Sequence, residues 1–441
     1  MSGSGFDDVR MRGFRQRADV AAVLALLSAR VAALPGEAVA LLEAAGRVLA
    51  EPVASAVDVP GFARSAMDGF AVRAADTSPA RSLAVVGESL PARPFAGEVK
   101  PGEAVRILTG APLPAGADAV LMAEFASLED GRVLAREPVA PGKHVVRVGE
   151  DVAKGSAVLA AGRLLRPQDV GLLASIGAAD VKAVRRPRVA ILVTGNELLP
   201  PGAVPDGFKI VDSNSPMLAA LAARDGAVVL PVRYVPDDYA AVRDAIRDAS
   251  AGADVVLVSG GTSVGTEDHA PRAAAELGEL AVHGVAVRPA GPMGVGFIQR
   301  PTPPAPLPEG RGEPDFLPPP FRERGRGGRF FTPLFLIPGN PVACLCAYDL
   351  FAGRAVRRLG GRAWELPYRS ATLPLAGKVA SAAGRVDYVR VKVDGGAVVP
   401  LATGGASNLS TAVAADGFVL VPPDRDALAP GESVTVWLYD G

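Results

Sequence analysis

The N-terminal part of this chain has its apolar residues at helical spacing. They recur at intervals of three and four residues, as an amphipathic helix with one buried face requires, at Val23, Leu26, Leu27, Val31 and Leu34. Arginines precede this apolar stretch, as they do in a secretory signal. The helical spacing and an aspartate at its edge favour a helix of the mature protein, over about residues 20–29.

Further along, the pattern changes twice. Short Val-rich segments separated by Pro and Gly run from 51 to 154, which predicts an all-β module. From 188 onwards, strands that are apolar throughout alternate with helices, which predicts a three-layer α/β domain with a mostly parallel sheet buried on both faces. We predict strands at 188–193, 227–232, 254–258 and 334–337, and helices at 215–224 and 239–250. The functional surface of such a sheet lies at the carboxyl ends of its strands.

The length of 441 residues exceeds one hydrophobic core and predicts several domains. We expect an N-terminal helix and elongated linking region (10–50 and 155–186), the β-rich module (51–154), the α/β domain (187–362) and a small C-terminal β-barrel-like domain (363–441). A segment dense in Pro, Arg and Gly interrupts the α/β domain at 300–331. Its length predicts a disordered loop, and its prolines leave a docking element as the alternative.

Charge and cysteine content narrow the class of protein. A formal net charge of -1 disfavours a nucleic-acid binder, which needs an excess of Lys and Arg. The two cysteines, Cys344 and Cys346, are too close in sequence for a useful bridge and predict buried, reduced thiols. No apolar stretch has the ~20 residues of a membrane span. These features together predict a cytoplasmic protein that does not bind membranes.

Glycine-rich turns follow two of the predicted strands. Gly195 follows the first strand, and the third is followed by Ser259, Gly260, Gly261, Thr262, Ser263 and Gly265. Glycines let backbone N–H groups approach an anion closely, and small hydroxyls add donors. Turns between strand and helix often need glycine without any ligand. Two such turns at neighbouring strand ends favour a phosphate or oxyanion pocket.

Carboxylates accompany these turns at Glu197, Asp237, Asp238 and Asp268. Carboxylates repel an anion unless a cation lies between them, so they predict Mg²⁺ bridging carboxylate and phosphate oxygens. Helix capping explains Asp237 or Asp238 nearly as well. A further turn at 338–341 carries two prolines and, taken alone, is a rigid structural bend.

An ordered set of motifs makes the chain recognisable. The motifs are 65–70 (SAMDGF), 108–111 (LTGA), 116–120 (GADAV), 149–151 (GED), 194–198 (TGNEL), 259–265 (SGGTSVG) with Asp268, and 338–342 (PGNPV). In this order they resemble the molybdopterin molybdotransferases, the MoeA and gephyrin E-domain family, over nearly the whole chain. The resemblance implies an elongated homodimer with four regions per subunit, whose active site lies between the α/β domain of one protomer and the β module of the other.

The resemblance also implies a reaction. Adenylylated molybdopterin and molybdate enter, and molybdenum cofactor and AMP leave, in a Mg²⁺-dependent transfer. Transient partners would be the molybdopterin adenylyltransferase and the molybdoenzymes that receive the cofactor. Two alternatives remain: a gephyrin-like scaffold without catalysis, and a nucleotide hydrolase on a similar α/β domain.

Functional residues carry over position by position from the same resemblance. The catalytic set is Asp68, Thr109, Glu197 and Asp268, of which Glu197 and Asp268 hold the metal and the pyrophosphate. Asp68 and Thr109 complete the site from the β module. The implied substrate-binding set is Gly195, Asp237, Asp238, the 259–265 loop, Arg288, Pro338, Gly339, Asn340, Arg390 and Ser407. For Arg390 the alternative is a solvent-facing strand residue.

The chain departs from the family pattern at two places. Where the family has Lys-Pro-Gly-Lys-Pro, residues 288–292 read RPAGP, so Arg288 replaces the first cation and Gly291 removes the second. Near the C-terminus the family's Gly-Ser becomes Gly-Ala at 405–406, which removes a hydroxyl unless Ser407 or Ser410 substitutes for it. Both changes remove a cation or a donor from the place where an anion is expected.

Overall fold

The structure is a computed structural model that describes residues 16–78, 81–261, 268–300, 331–402 and 405–439. The chain folds into two compact units. One consists of Ala38–Ala45 and Glu51–Lys182, and the other of Met1–Glu37, Gly46–Ala50 and Ala183–Gly441. The predicted Pro-rich segment falls outside the described residues from 301 to 330. The finer division into four regions stays a prediction.

The predicted N-terminal helix is present as α1 (Val20–Arg30) and is followed by strand β1 (Gly36–Ala40). Val23 and Leu27 are fully buried, as the spacing predicted. Just before the helix, Ala18 pairs with Val285 of the larger unit, where its N–H donates to the Gly284 carbonyl at 3.0 Å. This pairing fixes the start of the described chain against the segment that leads to Gly291.

The smaller unit is rich in β-structure, as predicted. Its strands are β2 (Val53–Ala54), β3 (Arg64–Ser65), β4 (Gly69–Val72), β5 (Ser82–Ser89), β6 (Glu103–Ile107), β7 (Ala119–Met122), β8 (Ala126–Glu129), β9 (Arg132–Ala135), β10 (Val145–Val146) and β11 (Ala157–Leu159). Helix α2 (Pro167–Ser175) and strand β12 (Asp180–Val184) follow. A six-stranded sheet in the order β7-β4-β6-β5-β9-β8 forms its centre, with only the β5–β6 pair parallel.

The larger unit contains the predicted α/β sheet. Residues 188–337 contain strands β13 (Arg188–Thr194), β14 (Leu198–Leu199), β15 (Ile210–Val211), β16 (Val228–Val229), β17 (Arg233–Val235), β18 (Val255–Ser259), β19 (Gly278–His283), β20 (Val287–Arg288), β21 (Gly294–Gln299) and β22 (Phe331–Ile337), of which β14, β15 and β20 lie outside this sheet. Its helices are α3 (Asn214–Arg224), α4 (Tyr239–Gly252), α5 (Ala270–Leu277), α6 (Pro341–Ala347) and α7 (Gly353–Leu359), the last two joined by a π-helical turn at Tyr348–Ala352. The sheet order is β16-β13-β18-β22-β21-β19, parallel except for the β21 and β19 edge.

Alternate residues of the central strand β13 pack into two different cores. Val189, Ile191 and Val193 join a core that includes residues of α3 and α7, whereas Ala190 and Leu192 join a core that includes residues of α4 and α5. Period-two alternation across a strand places these residues on opposite faces. The three-layer α/β prediction is therefore confirmed.

One predicted strand differs from the structure. Of the segment expected as a continuous strand at 227–232, only Val228–Val229 (β16) is a strand, and a second short strand, β17, follows it at Arg233–Val235; both pair with β13. Pro231 lies between them and has no N–H to donate to the ladder, so the strand is interrupted there.

The C-terminal part forms a second sheet, as predicted. Its strands are β23 (Arg369–Pro374), β24 (Val379–Ala380), β25 (Val386–Asp394), β26 (Ala397–Ala402), β27 (Gly417–Val421), β28 (Ala427–Leu428) and β29 (Ser433–Leu438), with helix α8 at Leu409–Val413. The sheet runs β20-β25-β27-β29-β23, and β26 pairs with β25. Strand β20 lies within the segment 284–293 and pairs with β25, so this segment is joined to the C-terminal sheet.

Cys344 and Cys346 are fully buried free thiols in α6, which confirms that prediction. Burial raises the pKa of both thiols.

Within the described ranges, none of the helices has the length and apolar character needed to span a bilayer.

Candidate functional site

Three parallel strands of the α/β sheet end side by side, and the turns after them line one cleft. Strands β13, β18 and β22 lead into the turns at 194–197, 259–261 and 338–341, as their parallel register requires. The cleft measures about 730 Å³. It brings together many of the predicted residues: Gly195, Glu197, Asp237, Ser259, Gly260, Gly261, Asp268, Pro338, Gly339, Asn340 and Ser407.

The first two turns approach each other more closely than side chains would allow. Gly260 has φ +91°, and a Cβ added there would lie 2.4 Å from the Thr194 carbonyl oxygen. A Cβ on Gly261, at φ +59°, would lie 2.8 Å from the Thr194 hydroxyl. A side chain at either position would strain the backbone and clash with Thr194, so glycine is required at both. This supports the interpretation that the backbone of this loop approaches a bound anion closely.

All the charged side chains in the described lining of the cleft are carboxylates. Glu197, Asp212, Asp237 and Asp268 all line it, and the described lining residues include no Lys or Arg. A Cβ on Gly195 would lie 2.9 Å from a carboxylate oxygen of Glu197, and one on Gly261 would lie 3.9 Å from Oδ1 of Asp268. Two carboxylates thus lie over the glycine turns.

This donor set fits a magnesium ion that also takes ligands from a substrate. Mg²⁺ prefers oxygen ligands and is usually held by one or two carboxylates together with phosphate and water oxygens. Among the described residues, no group of three or more His, Cys, Asp or Glu side chains converges closely enough to hold a metal by itself. Glu197 and Asp268 would supply the protein ligands, and phosphate oxygens would complete the shell.

Asp237 and Asp238 have different surroundings. Asp237 lines the cleft, and its carboxylate accepts the Asn196 N–H at 2.8 Å. Asp238 is not among the lining residues; its carboxylate accepts the Ala241 N–H at 2.9 Å and caps α4. The capping alternative therefore holds for Asp238, because its one carboxylate is used by the first turn of the helix.

Sequence interpretation missed a buried polar group at the start of α3. Asp212 accepts the N–H groups of Asn214 at 2.9 Å and Ser215 at 3.1 Å, and also the hydroxyls of Ser215 and, at 3.0 Å, Tyr234. Asp212 and Asn214 both line the cleft. Their only sequence signal was a run of small polar residues ahead of a helix, which capping explains equally well.

Asn214 joins two of the three turns. Its amide nitrogen donates to the Gly339 carbonyl at 2.7 Å and to the Ser259 hydroxyl at 3.2 Å. The turn at 338–341, which contains Gly339, has one more contact, because the Ser407 hydroxyl donates to the Asn340 side-chain oxygen at 2.8 Å. Ser407 lines the cleft, whereas Ser410 does not.

The two predicted arginines lie outside the cleft lining. Arg288 pairs with the buried carboxylate of Asp387, which also accepts the Ser381 hydroxyl at 2.8 Å. Arg390 is only 2% exposed, so the solvent-facing alternative is wrong. It donates to the Gly405 carbonyl at 3.4 Å, and burial lowers the pKa of its guanidinium. Arg390 thus contacts the segment that leads to Ser407, whereas Arg288 is paired with strand β25.

Asp68 and Thr109 lie in the smaller unit and form a pair there. One oxygen of Asp68 accepts the Thr109 N–H at 2.6 Å and the Thr109 hydroxyl at 2.7 Å. These two hydrogen bonds lower the pKa of Asp68 below its ordinary value. Thr262, Ser263 and Gly265, predicted in the glycine loop, lie outside the described residues.

Models of known protein families match most of the chain in three consecutive segments. The model of the "MoeA N-terminal region (domain I and II)" matches residues 18–177, the "Probable molybdopterin binding domain" matches 190–358, and the "MoeA C-terminal region (domain IV)" matches 372–439. A molybdopterin molybdenumtransferase of Haemophilus influenzae is 32% identical over 403 residues, which cover 90% of this chain and 92% of the relative. The chain belongs to the MoeA family. The prediction from the motifs is confirmed.

Other MoeA-family proteins are comparably similar. Molybdopterin molybdenumtransferase 2 of Mycobacterium tuberculosis is 33% identical over 407 residues, covering 90% of this chain and 94% of that protein. The crystal structure of a molybdopterin biosynthesis MoeA protein from Pyrococcus horikoshii superposes with a TM-score of 0.77 at 30% identity, covering 97% of this chain and all of the other. The multidomain α/β and β fold class is therefore confirmed.

The MoeA pattern and this chain differ at Gly291, and the structure places another cation beside it. The Arg17 guanidinium lies 3.8 Å from the position that a Cβ on Gly291 would take. Arg17 directly precedes Ala18, which is paired with Val285. Positive charge is therefore present next to the loop that carries Pro292 to the cleft, although it comes from another part of the chain.

Proposed function

We propose that this MoeA-family transferase inserts molybdate into adenylylated molybdopterin and releases AMP, with Mg²⁺ as the divalent ion. The relatives from Haemophilus influenzae and Mycobacterium tuberculosis are named molybdopterin molybdenumtransferases. The observation that carries the proposal is the cleft at the strand ends, in which carboxylates lie over glycine turns and no described lining residue is a cation.

The charge balance of the cleft supports a substrate that arrives with a divalent ion. Four carboxylates line the same space, so a bare diphosphate entering it would meet negative charge at short range. A magnesium ion bound here would supply positive charge that neutralises the phosphate oxygens. Glu197 and Asp268 would hold that ion. The glycine turns have no Cβ atoms, so phosphate oxygens can approach their backbone N–H groups closely.

Asp237 and Ser407 border the remainder of the cleft. The reciprocal contacts between Asp237 and Asn196 fix the first turn, since each accepts the backbone N–H of the other, at 2.8 Å and 3.3 Å. Ser407 lies near Asn340, and its hydroxyl donates to the Asn340 side-chain oxygen, so it holds the turn at 338–341 in place.

Turnover of the purified protein tests the proposal. Adenylylated molybdopterin is mixed with molybdate and Mg²⁺, AMP release is followed by chromatography, and cofactor is measured by activation of a cofactor-free molybdoenzyme. We expect AMP and active cofactor together, both dependent on molybdate. AMP release without molybdate would indicate the nucleotide hydrolase instead, and a folded protein that forms neither product would indicate the scaffold.

Asp268→Asn is the matching variant. The amide keeps the shape of the side chain and removes the charge that the metal requires, so we expect loss of Mg²⁺-dependent turnover with an unchanged circular dichroism spectrum. Undiminished turnover in a folded Asp268→Asn protein would reject the metal role of this residue.

We propose in addition that the active form is a homodimer in which Asp68 and Thr109 serve the active site of the partner. Mixed dimers test this. If Asp68→Asn and Asp268→Asn each abolish turnover, co-expressed dimers regain roughly a quarter of the wild-type activity, because one of the two sites in each mixed dimer is intact. Dimers that stay inactive after mixing would contradict the shared site, and a monomer in sedimentation would contradict the dimer itself.

A further inference from the structure

Asn214 has a fixed orientation in the wall of the cleft. Its side chain is 6% exposed, and its amide nitrogen lies 2.7 Å from the Gly339 carbonyl oxygen. A carbonyl oxygen only accepts hydrogen bonds, so the atom that faces Gly339 must be the nitrogen. The second N–H of the amide is directed to the Ser259 hydroxyl at 3.2 Å.

The amide oxygen of Asn214 can accept a hydrogen bond, and no donor in the described protein bonds to it. This oxygen is buried and has no hydrogen-bond partner among the described residues. A buried acceptor without a donor costs free energy, and most such groups in proteins are paired. Since Asn214 lines the cleft, a molecule bound in the cleft can supply the missing donor.

The chemistry of the oxygen decides which part of a substrate can meet it. Molybdate and diphosphate oxygens carry no protons at neutral pH and can only accept. Ring N–H groups, exocyclic amines and ribose hydroxyls are donors. An acceptor in this position therefore selects for the organic part of a nucleotide or pterin and against its anionic part.

We propose that the Asn214 side-chain oxygen recognises the substrate by accepting a hydrogen bond from an N–H or O–H donor on its heterocycle or ribose. This inference rests on the proposed function, because it takes the adenylylated pterin as the ligand of the cleft. The nitrogen of the same amide bonds to the turns at Ser259 and Gly339. Asn214 therefore holds the two turns together through its nitrogen and binds the ligand through its oxygen.

Paired ligands that differ by one donor test the inference. Binding to the Mg²⁺-loaded protein is measured by calorimetry for AMP against purine riboside monophosphate, which lacks the exocyclic amine, and for AMP against its 2′-deoxy and 3′-deoxy forms. A fourth pair, 6-carboxypterin against its 2-desamino analogue, removes the pterin amine. We expect the wild type to bind the donor-bearing member of at least one pair about tenfold more tightly. The pair that shows this difference identifies the donor that contacts Asn214.

The same pairs are then measured with Asn214→Ala. The preference should disappear, because the acceptor is gone, whereas a purely structural role would weaken both members of each pair equally and leave the preference in place. If thermal unfolding shows that Asn214→Ala is unstable, Asn214→Ser is used, since its hydroxyl can stay close to the backbone but stops short of the position of the amide oxygen.

Two results overturn the inference: a wild type that binds both members of every pair equally, or a preference that survives in the Asn214 variants. Failure of the proposed function is a different result, in which the Mg²⁺-loaded wild type takes up no AMP and forms no cofactor.

Discussion

Truncation of Asp212 should loosen the start of α3 by a predictable amount. The Asp212→Ala variant removes a buried carboxylate, 4% exposed, that accepts two backbone N–H groups and two hydroxyls. The hydroxyls of Ser215 and Tyr234 can rotate towards other acceptors. The N–H groups of Asn214 and Ser215 cannot, because the backbone of the helix fixes them.

The expected cost follows from those two amides. Loss of a capping acceptor costs about 1 kcal/mol, and a hydrogen bond to a charged group contributes about 1.5–3 kcal/mol. We therefore expect the local opening of this segment to become easier by about 2–4 kcal/mol, and amide exchange at Asn214 and Ser215 to become about 30-fold to 1000-fold faster.

Hydrogen exchange followed by mass spectrometry or NMR measures this directly. Asp238→Ala is the matched control, because Asp238 also accepts a backbone N–H at a helix start but lies outside the cleft lining. It should accelerate exchange at the start of α4 only. If α3 exchanges at the same rate in wild type and Asp212→Ala, the carboxylate does not hold the helix start, and the fixed position of Asn214 would lose its explanation.

Three further predictions concern the cleft and Asp68. Gly260→Ala forces a side chain into φ +91° and against the first turn, so it should destabilise the protein by about 1–3 kcal/mol and weaken AMP binding, whereas Gly171→Ala, in helix α2 with open space around it, should be neutral or stabilising in urea unfolding. Asp237→Asn removes a cleft charge but keeps an acceptor, so calorimetry should show weaker Mg²⁺–AMP binding with little change in thermal stability. Thr109→Val removes one of two hydrogen bonds that lower the pKa of Asp68, so its carboxyl should titrate at higher pH by ¹³C NMR. Because the pKa is lowered in the folded protein, the associated stabilisation is present at neutral pH and is lost as the pH falls from the ordinary pKa of aspartate to the pKa in the folded protein; in the variant this stabilisation is smaller, and its loss is complete at a higher pH.

The location of the site followed from the sequence because it depends on periodicity. Apolar strands alternating with helices predict a parallel sheet, and the turns at Gly195 and Gly260 follow two of its strands, so their meeting at one edge was predictable. The predicted strand at 227–232 ran through Pro231 and was wrong there, although the same local chemistry argues for a break, since proline cannot donate within a strand. Both conclusions use only local backbone chemistry.

Side-chain roles were harder to predict where neighbouring residues have the same chemistry. Asp237 and Asp238 are adjacent aspartates ahead of a helix, and only the structure separates the residue that lines the cleft from the residue that caps α4. Asn214 was missed because its partners, Ser259 and Gly339, are distant in sequence. Arg288 was expected at the anion; in the structure it pairs with Asp387, and its role at the anion stays a prediction. Such pairings depend on the packing between the α/β sheet and the C-terminal sheet, which periodicity does not reveal.

The central claim is that carboxylates at the strand ends bind a nucleotide through a divalent ion. Calorimetric titration of AMP into the metal-free and Mg²⁺-loaded protein tests it most directly, with Asp268→Asn measured in parallel. We predict saturable uptake by the wild type only when Mg²⁺ is present, and none by Asp268→Asn under either condition. Uptake of AMP with equal affinity in the absence of Mg²⁺, or by Asp268→Asn, would contradict the claim.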